Sequence, residues 1–207
     1  GKTDFILEQV IYSKTIKGIF IVMFFTTPVL LLKSMLIKES IESKENMKPE
    51  KSIYDYKARL INGKEISLKD FKGKKLLFVN VASKCGYTPQ YKGLQKLHED
   101  FSEKVAILAF PANNFGAQEP GSNKEIEDFC SLNYEATFSM FAKISVKGKD
   151  KHPIYDWLTD SRLNGWNDQE PTWNFCKYLV NEEGQLLKFY KSGVKPLSDQ
   201  LISDIIQ

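Results

Sequence analysis

Cys85 is the side chain of this 207-residue sequence that is best placed to act as a nucleophile. It follows the apolar run Leu76–Val81, which predicts a buried strand, and precedes Thr88 and Pro89, which predict the capped first turn of a helix. A sulfur at such a junction meets unpaired backbone N–H groups and the positive end of the helix dipole, and both favour the thiolate. Gly86 lets backbone amides approach closely. The sequence therefore predicts an exposed, reactive thiolate at residue 85 rather than a small buried side chain.

The residues around Cys85 argue against two other kinds of thiol chemistry. His98 lies near the far end of the same predicted helix, roughly 15–20 Å away at about 1.5 Å per residue, so a Cys/His catalytic pair is not expected. Thr88 stands where the Cys-x-x-Cys pair of a disulfide exchanger needs its second cysteine. His98 and His152 are distant from each other and from any cysteine pair, so neither a metal site nor a cofactor is expected.

The three cysteines are too few for the framework of a disulfide-stapled secreted domain. Cys130 shares a predicted helix face with Ile126 and Phe129, whereas Cys176 follows Phe175 on a predicted strand, where a core position is expected. The formal net charge is +3, and no run of basic residues is interleaved with aromatic ones. A nucleic-acid partner is therefore not expected.

The elements that position these residues follow an α/β pattern. Leu76–Val81 and Val105–Phe110 predict two buried strands, and the helix between them makes a βαβ unit with parallel strands. Asn62-Gly63 lies between two short strand patterns and predicts an N-terminal β-hairpin with a type I′ turn. The remaining predicted elements are a helix that starts at the capping box Ser122–Glu125, a helix over 154–158, a hairpin of Phe175–Val180 and Gln185–Tyr190, and a closing helix over 196–206.

Residues 1–50 are interpreted as a separate leader, and residues 51–207 as one domain. Gly18–Leu32 is a run of fifteen uncharged, mostly apolar residues after Lys14 and Lys17. Spanning a bilayer takes about 20 such residues, whereas a secretory signal needs about 7–15, so the run predicts a signal sequence or a short signal anchor. We expect entry into the secretory pathway or an organelle reached through it, such as a plastid. The alternatives are a cytoplasmic or mitochondrial protein, or an additional helix packed on the domain.

Three blocks of the sequence resemble the signature blocks of the glutathione peroxidase family. They are Asn-Val-Ala-Ser-Lys-Cys-Gly-Tyr-Thr (80–88), Phe-Pro-Ala-Asn-Asn-Phe-Gly-Ala-Gln-Glu-Pro-Gly (110–121) and Trp-Asn-Phe (173–175). The blocks occur in family order, and with the segments between them they cover nearly all of residues 51–207. The resemblance implies a peroxidase with a thioredoxin-like fold, in which helices flank a central mixed β-sheet and an N-terminal β-hairpin precedes it.

The resemblance also implies roles for four residues of a catalytic tetrad. Cys85 takes the place of the selenocysteine or cysteine that attacks peroxide, and Trp173 and Asn174 donate hydrogen bonds to its sulfur. Asn114 stands where the family normally has a glutamine, and its side chain carries the same amide one methylene shorter. If that contact to sulfur is lost, the cost in rate is about 10²-fold by analogy with other preformed anion sites.

Cys130 matches the resolving cysteine of those relatives that use thioredoxin. The resemblance implies that peroxide oxidises Cys85 to a sulfenic acid, that Cys130 condenses with it to a disulfide, and that thioredoxin reduces the disulfide. Because Cys130 lies on a packed helix face, we expect residues 121–134 to open locally so that the sulfurs can meet.

The choice of reductant and the use of the oxidised state leave alternatives open. Arg59 and Arg162 are the only arginines, which offers little for binding the carboxylates of glutathione and favours thioredoxin. One alternative is a glutathione-dependent peroxidase in which Cys130 is only structural, and another is a redox sensor that relays oxidation of Cys85 to a partner protein. The expected substrate is hydrogen peroxide or an organic or lipid hydroperoxide. The connection over 159–172 is shorter than in tetrameric relatives, which indicates a monomer or weak dimer.

Overall fold

The computed structural model describes residues 51–207, and the predictions made for the leader lie outside that range. The strands are β1 (Lys57–Arg59), β2 (Glu65–Ser67), β3 (Lys75–Val81), β4 (Val105–Pro111), β5 (Ser139–Met140), β6 (Lys177–Val180) and β7 (Leu186–Tyr190). The helices are α1 (Gln90–Phe101), α2 (Asn123–Tyr134), α3 (Pro153–Thr159), α4 (Ser161–Asn164) and α5 (Asp199–Ile206). Among residues 51–207, no helix combines the length and apolar character that crossing a membrane requires.

The central sheet has five strands in the order β5-β4-β3-β6-β7. β3 and β4 pair in parallel, with α1 as their crossover, so the predicted βαβ unit is confirmed. β6 pairs antiparallel with β3 on its other side, and β7 with β6, while β1 and β2 form a separate N-terminal hairpin. The fold is therefore α/β and thioredoxin-like, with a mixed sheet as expected.

β3 is the central strand of the sheet, and its side chains enter two apolar cores, one on each face of the sheet. Because side chains alternate along a strand, Leu76 and Phe78 join the core that includes Trp157 of α3. Leu77 and Val79 join the core formed with α1, α2 and α5. All seven residues of β3 are buried. The loop that follows β3 thus begins from a rigid, fully covered strand.

The hairpin turn between β1 and β2 differs from the prediction. A type I′ turn needs positive φ at both central residues, but only Gly63 has it, at 88°. The backbone N–H of Leu60 donates to the Lys64 carbonyl at 2.8 Å, which closes a three-residue loop rather than a two-residue one. Gly63 supplies the left-handed residue at the end of that loop.

Two helix starts also differ from the sequence prediction. α1 begins at Gln90, and the residue before it is Pro89, whose side chain makes no capping hydrogen bond. Thr88 is not the cap, because its hydroxyl is bonded within the preceding loop. α5 begins after Ser198, which caps it, and not at Pro196. The capping box of α2 is confirmed in both directions.

Candidate active site around Cys85

The loop after β3 folds back so that one backbone N–H reaches the Cys85 sulfur. Tyr87 N–H donates to Sγ at 3.4 Å. The N–H of Cys85 itself is not available to an anion, since it donates to the Thr88 hydroxyl at 2.9 Å, and that hydroxyl donates to the Ala82 carbonyl at 2.8 Å. Thr88 therefore shapes the cysteine loop, and Tyr87 provides the donor that the strand-to-helix junction predicts.

The prediction of an exposed thiolate at Cys85 was wrong as to exposure, because only 8% of the residue is accessible. Its side chain belongs to the apolar cluster that includes Tyr91 and Phe175. The physical reason is that α1 starts five residues after Cys85, so the intervening turns wrap the thiol instead of presenting it at a helix end. A reactant must approach the sulfur through a small opening.

The segment Trp173–Phe175 is a turn that is fixed to the same strand as the cysteine loop. Asn80 of β3 donates from its amide to the Trp173 carbonyl at 2.9 Å, and its own carbonyl accepts from Phe175 N–H at 2.6 Å. Phe175 has a φ of 64°, a left-handed conformation that is uncommon for a bulky residue. β6 begins only at Lys177, so this turn and not a strand presents Asn174, which is completely buried.

Trp173 differs from the other two tryptophans in what its indole N–H meets. Trp157 donates to the Lys51 carbonyl and Trp166 to the Leu186 carbonyl, both at 2.6 Å. For Trp173 no acceptor is found within residues 51–207, and 39% of the residue is exposed. Its ring packs against Phe115 with centroids 5.8 Å apart. This indole N–H is held in place by packing and remains available to an incoming group.

The amide of Asn114 is bonded to the segment that follows β5. Its Nδ2 donates to Ser145 Oγ at 2.9 Å and to the Lys147 carbonyl at 3.3 Å, and its Oδ1 accepts from Val146 N–H at 2.9 Å. Both ends of the amide are thus bonded to the segment after β5. The role that the resemblance implies for Asn114 stays a prediction, and none of these three hydrogen bonds involves Cys85.

Gln118 is a site residue that the sequence reasoning missed. Its Oε1 accepts from Asn174 Nδ2 at 2.9 Å, and its backbone carbonyl accepts from Lys84 N–H at 3.0 Å. Gln118 therefore contacts both the turn that carries Asn174 and the residue before Cys85. The available signal was that the block 110–121 has two further amides, Asn113 and Gln118, but nothing in the sequence distinguishes either of them from Asn114.

Cys130 lies in the same apolar cluster as Cys85 and is almost fully buried, with 1% exposed. Burial raises the pKa of its thiol from 9.0 to about 11; the nearby Tyr91 hydroxyl opposes this and the Glu119 carboxylate adds to it. The predicted packing of Cys130 is confirmed. All three cysteines are free thiols, and Cys176 is fully buried beside Ser192, with Sγ and Oγ 3.5 Å apart.

Glu119 is a buried carboxyl that is bonded to the cysteine loop. Its Oε1 accepts from Ser83 Oγ at 2.6 Å, whereas its buried Oε2 has no partner among the described residues. Burial raises the pKa of this carboxyl, opposed by the Ser83 hydrogen bonds and by Lys143. Residues 51–207 contain no group of three or more His, Cys, Asp or Glu side chains arranged to hold a metal ion.

The sequence model of the glutathione peroxidase family matches residues 53–159, which is more than half of the chain. The chain belongs to the glutathione peroxidase family. Over 162 residues it is 43% identical to a hydroperoxy fatty acid reductase from Synechocystis, covering 74% of this chain and 94% of that protein. It is 41% identical over 157 residues to a glutathione peroxidase-like peroxiredoxin from Saccharomyces cerevisiae, covering 75% and 97%.

A solved structure supports the same family assignment. The T. cruzi protein GPX1 superposes with a TM-score of 0.58 at 28% identity, covering 75% of this chain and 95% of that one. As a glutathione peroxidase family member, the chain is a peroxidase that reduces hydroperoxides at the expense of a thiol. The turn that carries the predicted site residues Trp173 and Asn174 is bonded to Asn80, five residues before Cys85. Cys85 and Cys130 share one apolar cluster with Phe175, and the Asn114 amide is bonded to residues 145–147.

Proposed function

We propose that Cys85 is the sulfur of this peroxidase and that its thiolate attacks the outer oxygen of a hydroperoxide. The S–O bond forms as the O–O bond breaks, so Cys85 becomes a sulfenic acid and the leaving oxygen takes a proton to become an alcohol or water. The single observation that carries this proposal is the Tyr87 N–H donor on Sγ. Trp173 and Asn174 complete the group of donors, because the turn that bears them is bonded to Asn80 of the strand leading to Cys85.

Hydrogen peroxide and organic or lipid hydroperoxides are the proposed substrates. Tyr87 and Trp173 are both 39% exposed, and Tyr87 lies two residues after Cys85, so aromatic surface is available beside the sulfur. Such surface suits the apolar chain of an organic hydroperoxide. The Synechocystis relative is named for the reduction of hydroperoxy fatty acids, which supports the same substrate class.

Cys130 is the proposed resolving cysteine. Its thiol condenses with the Cys85 sulfenic acid to give a disulfide, and the sulfenic hydroxyl leaves as water. At neutral pH the folded helix keeps Cys130 protonated and covered, since its pKa is about 11 and 1% of it is exposed. Opening of residues 121–134 brings the thiol into solvent and lowers its pKa towards an ordinary value, which accelerates the condensation.

Thioredoxin is the proposed reductant of the disulfide. The yeast relative is named a peroxiredoxin, which supports this choice. A reductant with two neighbouring thiols, such as thioredoxin, also suits an internal disulfide better than glutathione, which has one thiol. Arg59 and Arg162 are both exposed, and Arg162 is paired with Asp160. Neither arginine therefore forms a preorganised binding site for the carboxylates of glutathione.

Steady-state turnover with thioredoxin and with glutathione, for the wild type and three cysteine variants, tests the proposal. Cys85→Ser should abolish peroxide consumption, and Cys130→Ser should give one turnover and a trapped sulfenic acid. Cys176→Ser, which alters the other buried thiol, is the matched control and should turn over normally. Unimpaired thioredoxin turnover of Cys130→Ser would overturn the resolving role, and equal rates with both reductants would overturn the preference for thioredoxin.

The leader and the assembly state belong to the same proposal. We expect the apolar run over residues 18–32 to direct the protein into the secretory pathway or an organelle reached through it. A fluorescent protein fused to residues 1–50 tests this, and a diffuse cytoplasmic signal would contradict it. A monomer or weak dimer is the expected assembly, and sedimentation equilibrium at micromolar concentration would reveal a tetramer if that expectation is wrong.

A further inference from the structure

We propose that Gln118 is a positioning residue of the peroxidase, which sets the orientation of the Asn174 amide towards the Cys85 sulfur. The inference rests on the proposed role of Cys85 and Asn174. It adds to the site a side chain that acts through Asn174 and not by contact with the peroxide.

The first support is the hydrogen bond between the two amides. Asn174 Nδ2 donates to Gln118 Oε1 at 2.9 Å, and Asn174 is completely buried. The Asn174 Oδ1 is also buried and has no partner among the described residues. Within residues 51–207, the bond to Gln118 is therefore the only hydrogen bond of the Asn174 side chain, and it sets the direction in which Nδ2 points.

The orientation matters because the two ends of an amide have opposite electrostatic character. Nδ2 carries two N–H donors, and one of them is used by Gln118, which leaves the other for an anion. If the amide rotated by half a turn, Oδ1 would take the place of Nδ2 and repel a thiolate. An acceptor at the position of Gln118 Oε1 favours the productive orientation.

The second support is the way in which the chain holds Gln118. Residues 115–118 form a type I′ turn, in which Gly116 and Ala117 have φ angles of 62° and 52° and Gln118 N–H donates to the Phe115 carbonyl at 3.3 Å. The left-handed conformation is unfavourable for Ala117, because its Cβ crowds the following carbonyl oxygen. Strain of this kind persists where the surrounding structure fixes it, often at functional sites.

The third support is the backbone carbonyl of Gln118, which accepts from Lys84 N–H at 3.0 Å. One residue thus bonds to the chain immediately before Cys85 and to the side chain of Asn174. The Asn114 amide is in no position to replace it, because Ser145, Val146 and Lys147 take both of its ends.

A double-mutant cycle on the rate of Cys85 oxidation by hydrogen peroxide tests the inference. Asn174→Ala removes a preformed donor and should lower the second-order rate constant by about 10²-fold. Gln118→Met leaves that donor in place but not oriented, and should lower the rate constant by about 10-fold. In the Asn174→Ala background, Gln118→Met should have no further effect. The pH–rate profile of Gln118→Met should also shift to higher pH, which a purely structural role would not cause.

The control is Gln185→Met, which removes an Asn–Gln amide bond of the same length, from Asn181 Nδ2 at 2.9 Å, in the β6–β7 turn. It should keep the wild-type rate and profile. Gln118→Leu is the second variant if Gln118→Met does not fold. Equal losses in both backgrounds, or no loss in the first, would overturn the role of Gln118. A wild type no more active than Cys85→Ser would instead overturn the proposed function itself.

Discussion

The indole N–H of Trp173 is the residue-scale feature whose contribution can be separated from packing. The N–H has no acceptor within residues 51–207, and the ring packs on Phe115. Trp173→Phe keeps an aromatic ring but removes the donor, so we expect kcat/KM for hydrogen peroxide to fall by about 10²-fold with little change in the free energy of unfolding. Stopped-flow oxidation and urea unfolding measure the two quantities.

Trp166→Phe is the matched control for this change. Its indole N–H donates to the Leu186 carbonyl at 2.6 Å, so the substitution leaves a carbonyl without its partner. Stability should fall by about 1–3 kcal/mol while the rate with peroxide is kept. The role of the Trp173 donor would be wrong if Trp173→Phe reacted with peroxide as fast as the wild type.

The sequence supports hypotheses about which side chains react, but it does not specify which groups those side chains contact. A cysteine between a buried strand and a helix, and the Trp-Asn pair, are local patterns that can be read directly. Which amide faces Asn174 is not local, since it depends on the turn over residues 115–118 and on bonds from Asn114 to residues 145–147. The burial of Cys85 is likewise a consequence of where α1 starts, five residues later than the sulfur.

At the element scale, we expect the stability of α2 to control access to Cys130, which is buried within that helix. The capping box joins Ser122 and Glu125, and loss of a serine cap costs about 1 kcal/mol. Because 1 kcal/mol is about a fivefold change in an equilibrium constant, Ser122→Ala should populate the opened helix about fivefold more. If opening precedes disulfide formation, the rate of that step rises by the same factor while oxidation of Cys85 is unchanged.

Ser198→Ala removes the corresponding cap of α5 and serves as the control. The Ser198 hydroxyl accepts from Leu201 N–H at 3.4 Å, so a similar loss of helix stability is expected without faster disulfide formation. Quenched-flow trapping of the Cys85–Cys130 disulfide distinguishes the two variants. Unchanged disulfide formation in Ser122→Ala would show that α2 does not open before the sulfurs react.

Two hairpin glycines provide a second element-scale prediction. Gly63 and Gly184 have nearly equal φ angles, 88° and 84°, so replacement by alanine costs each about 1–2 kcal/mol of backbone strain. An added Cβ at Gly63 meets nothing within 4 Å, but at Gly184 it would lie 2.6 Å from Cε2 of Tyr54. The Tyr54 hydroxyl donates to the Glu182 carbonyl at 2.8 Å, which keeps the ring in place.

Gly184→Ala should therefore lower the free energy of unfolding by about 1–3 kcal/mol more than Gly63→Ala does, because of overpacking. Urea unfolding of the two variants measures the difference directly. Equal losses would mean that the Tyr54 ring moves aside at little cost. This contrast was not predictable from the sequence, where both glycines simply mark turns and the distant tyrosine cannot be seen.

At the scale of the whole molecule, Lys177 holds together three parts of the fold. Its Nζ donates to Gln90 Oε1 at 2.7 Å, to the Phe175 carbonyl at 2.8 Å and to the Val194 carbonyl at 2.7 Å. These bonds join β6 to the start of α1 and to the β7–α5 connection. The sequence indicates a strand at Lys177 but not which strand it pairs with. Lys177 is buried because β6 pairs antiparallel with the central strand β3, and no local pattern specifies such long-range pairing.

Burial makes Lys177 and Cys130 opposing contributors to the pH dependence of stability. Burial lowers the pKa of Lys177 to about 7, so between pH 7 and its ordinary pKa of 10.5 the unfolded chain holds a proton that the folded chain lacks. Stability therefore rises with pH in that window, by at most about 1.4 kcal/mol per unit. For Cys130 the folded pKa is about 11 and the ordinary value 9.0, so stability falls with pH above 9.

Urea unfolding of the reduced protein at pH 7, 8, 9 and 10 separates the two groups. The wild type should gain stability up to about pH 9 and then decline, because burial also raises the pKa of six tyrosines above their ordinary 10.0 and these act together with Cys130 against Lys177. Lys177→Met should lose the gain below pH 9 and decline above it, whereas Cys130→Ser should decline less than the wild type between pH 9 and 10. Lys191→Met, which alters an exposed lysine, should reproduce the wild-type profile. If the stability of the wild type is instead flat from pH 7 to 9, Lys177 stays protonated in the folded protein throughout. Its three oxygen acceptors would then offset the cost of burying the ammonium group.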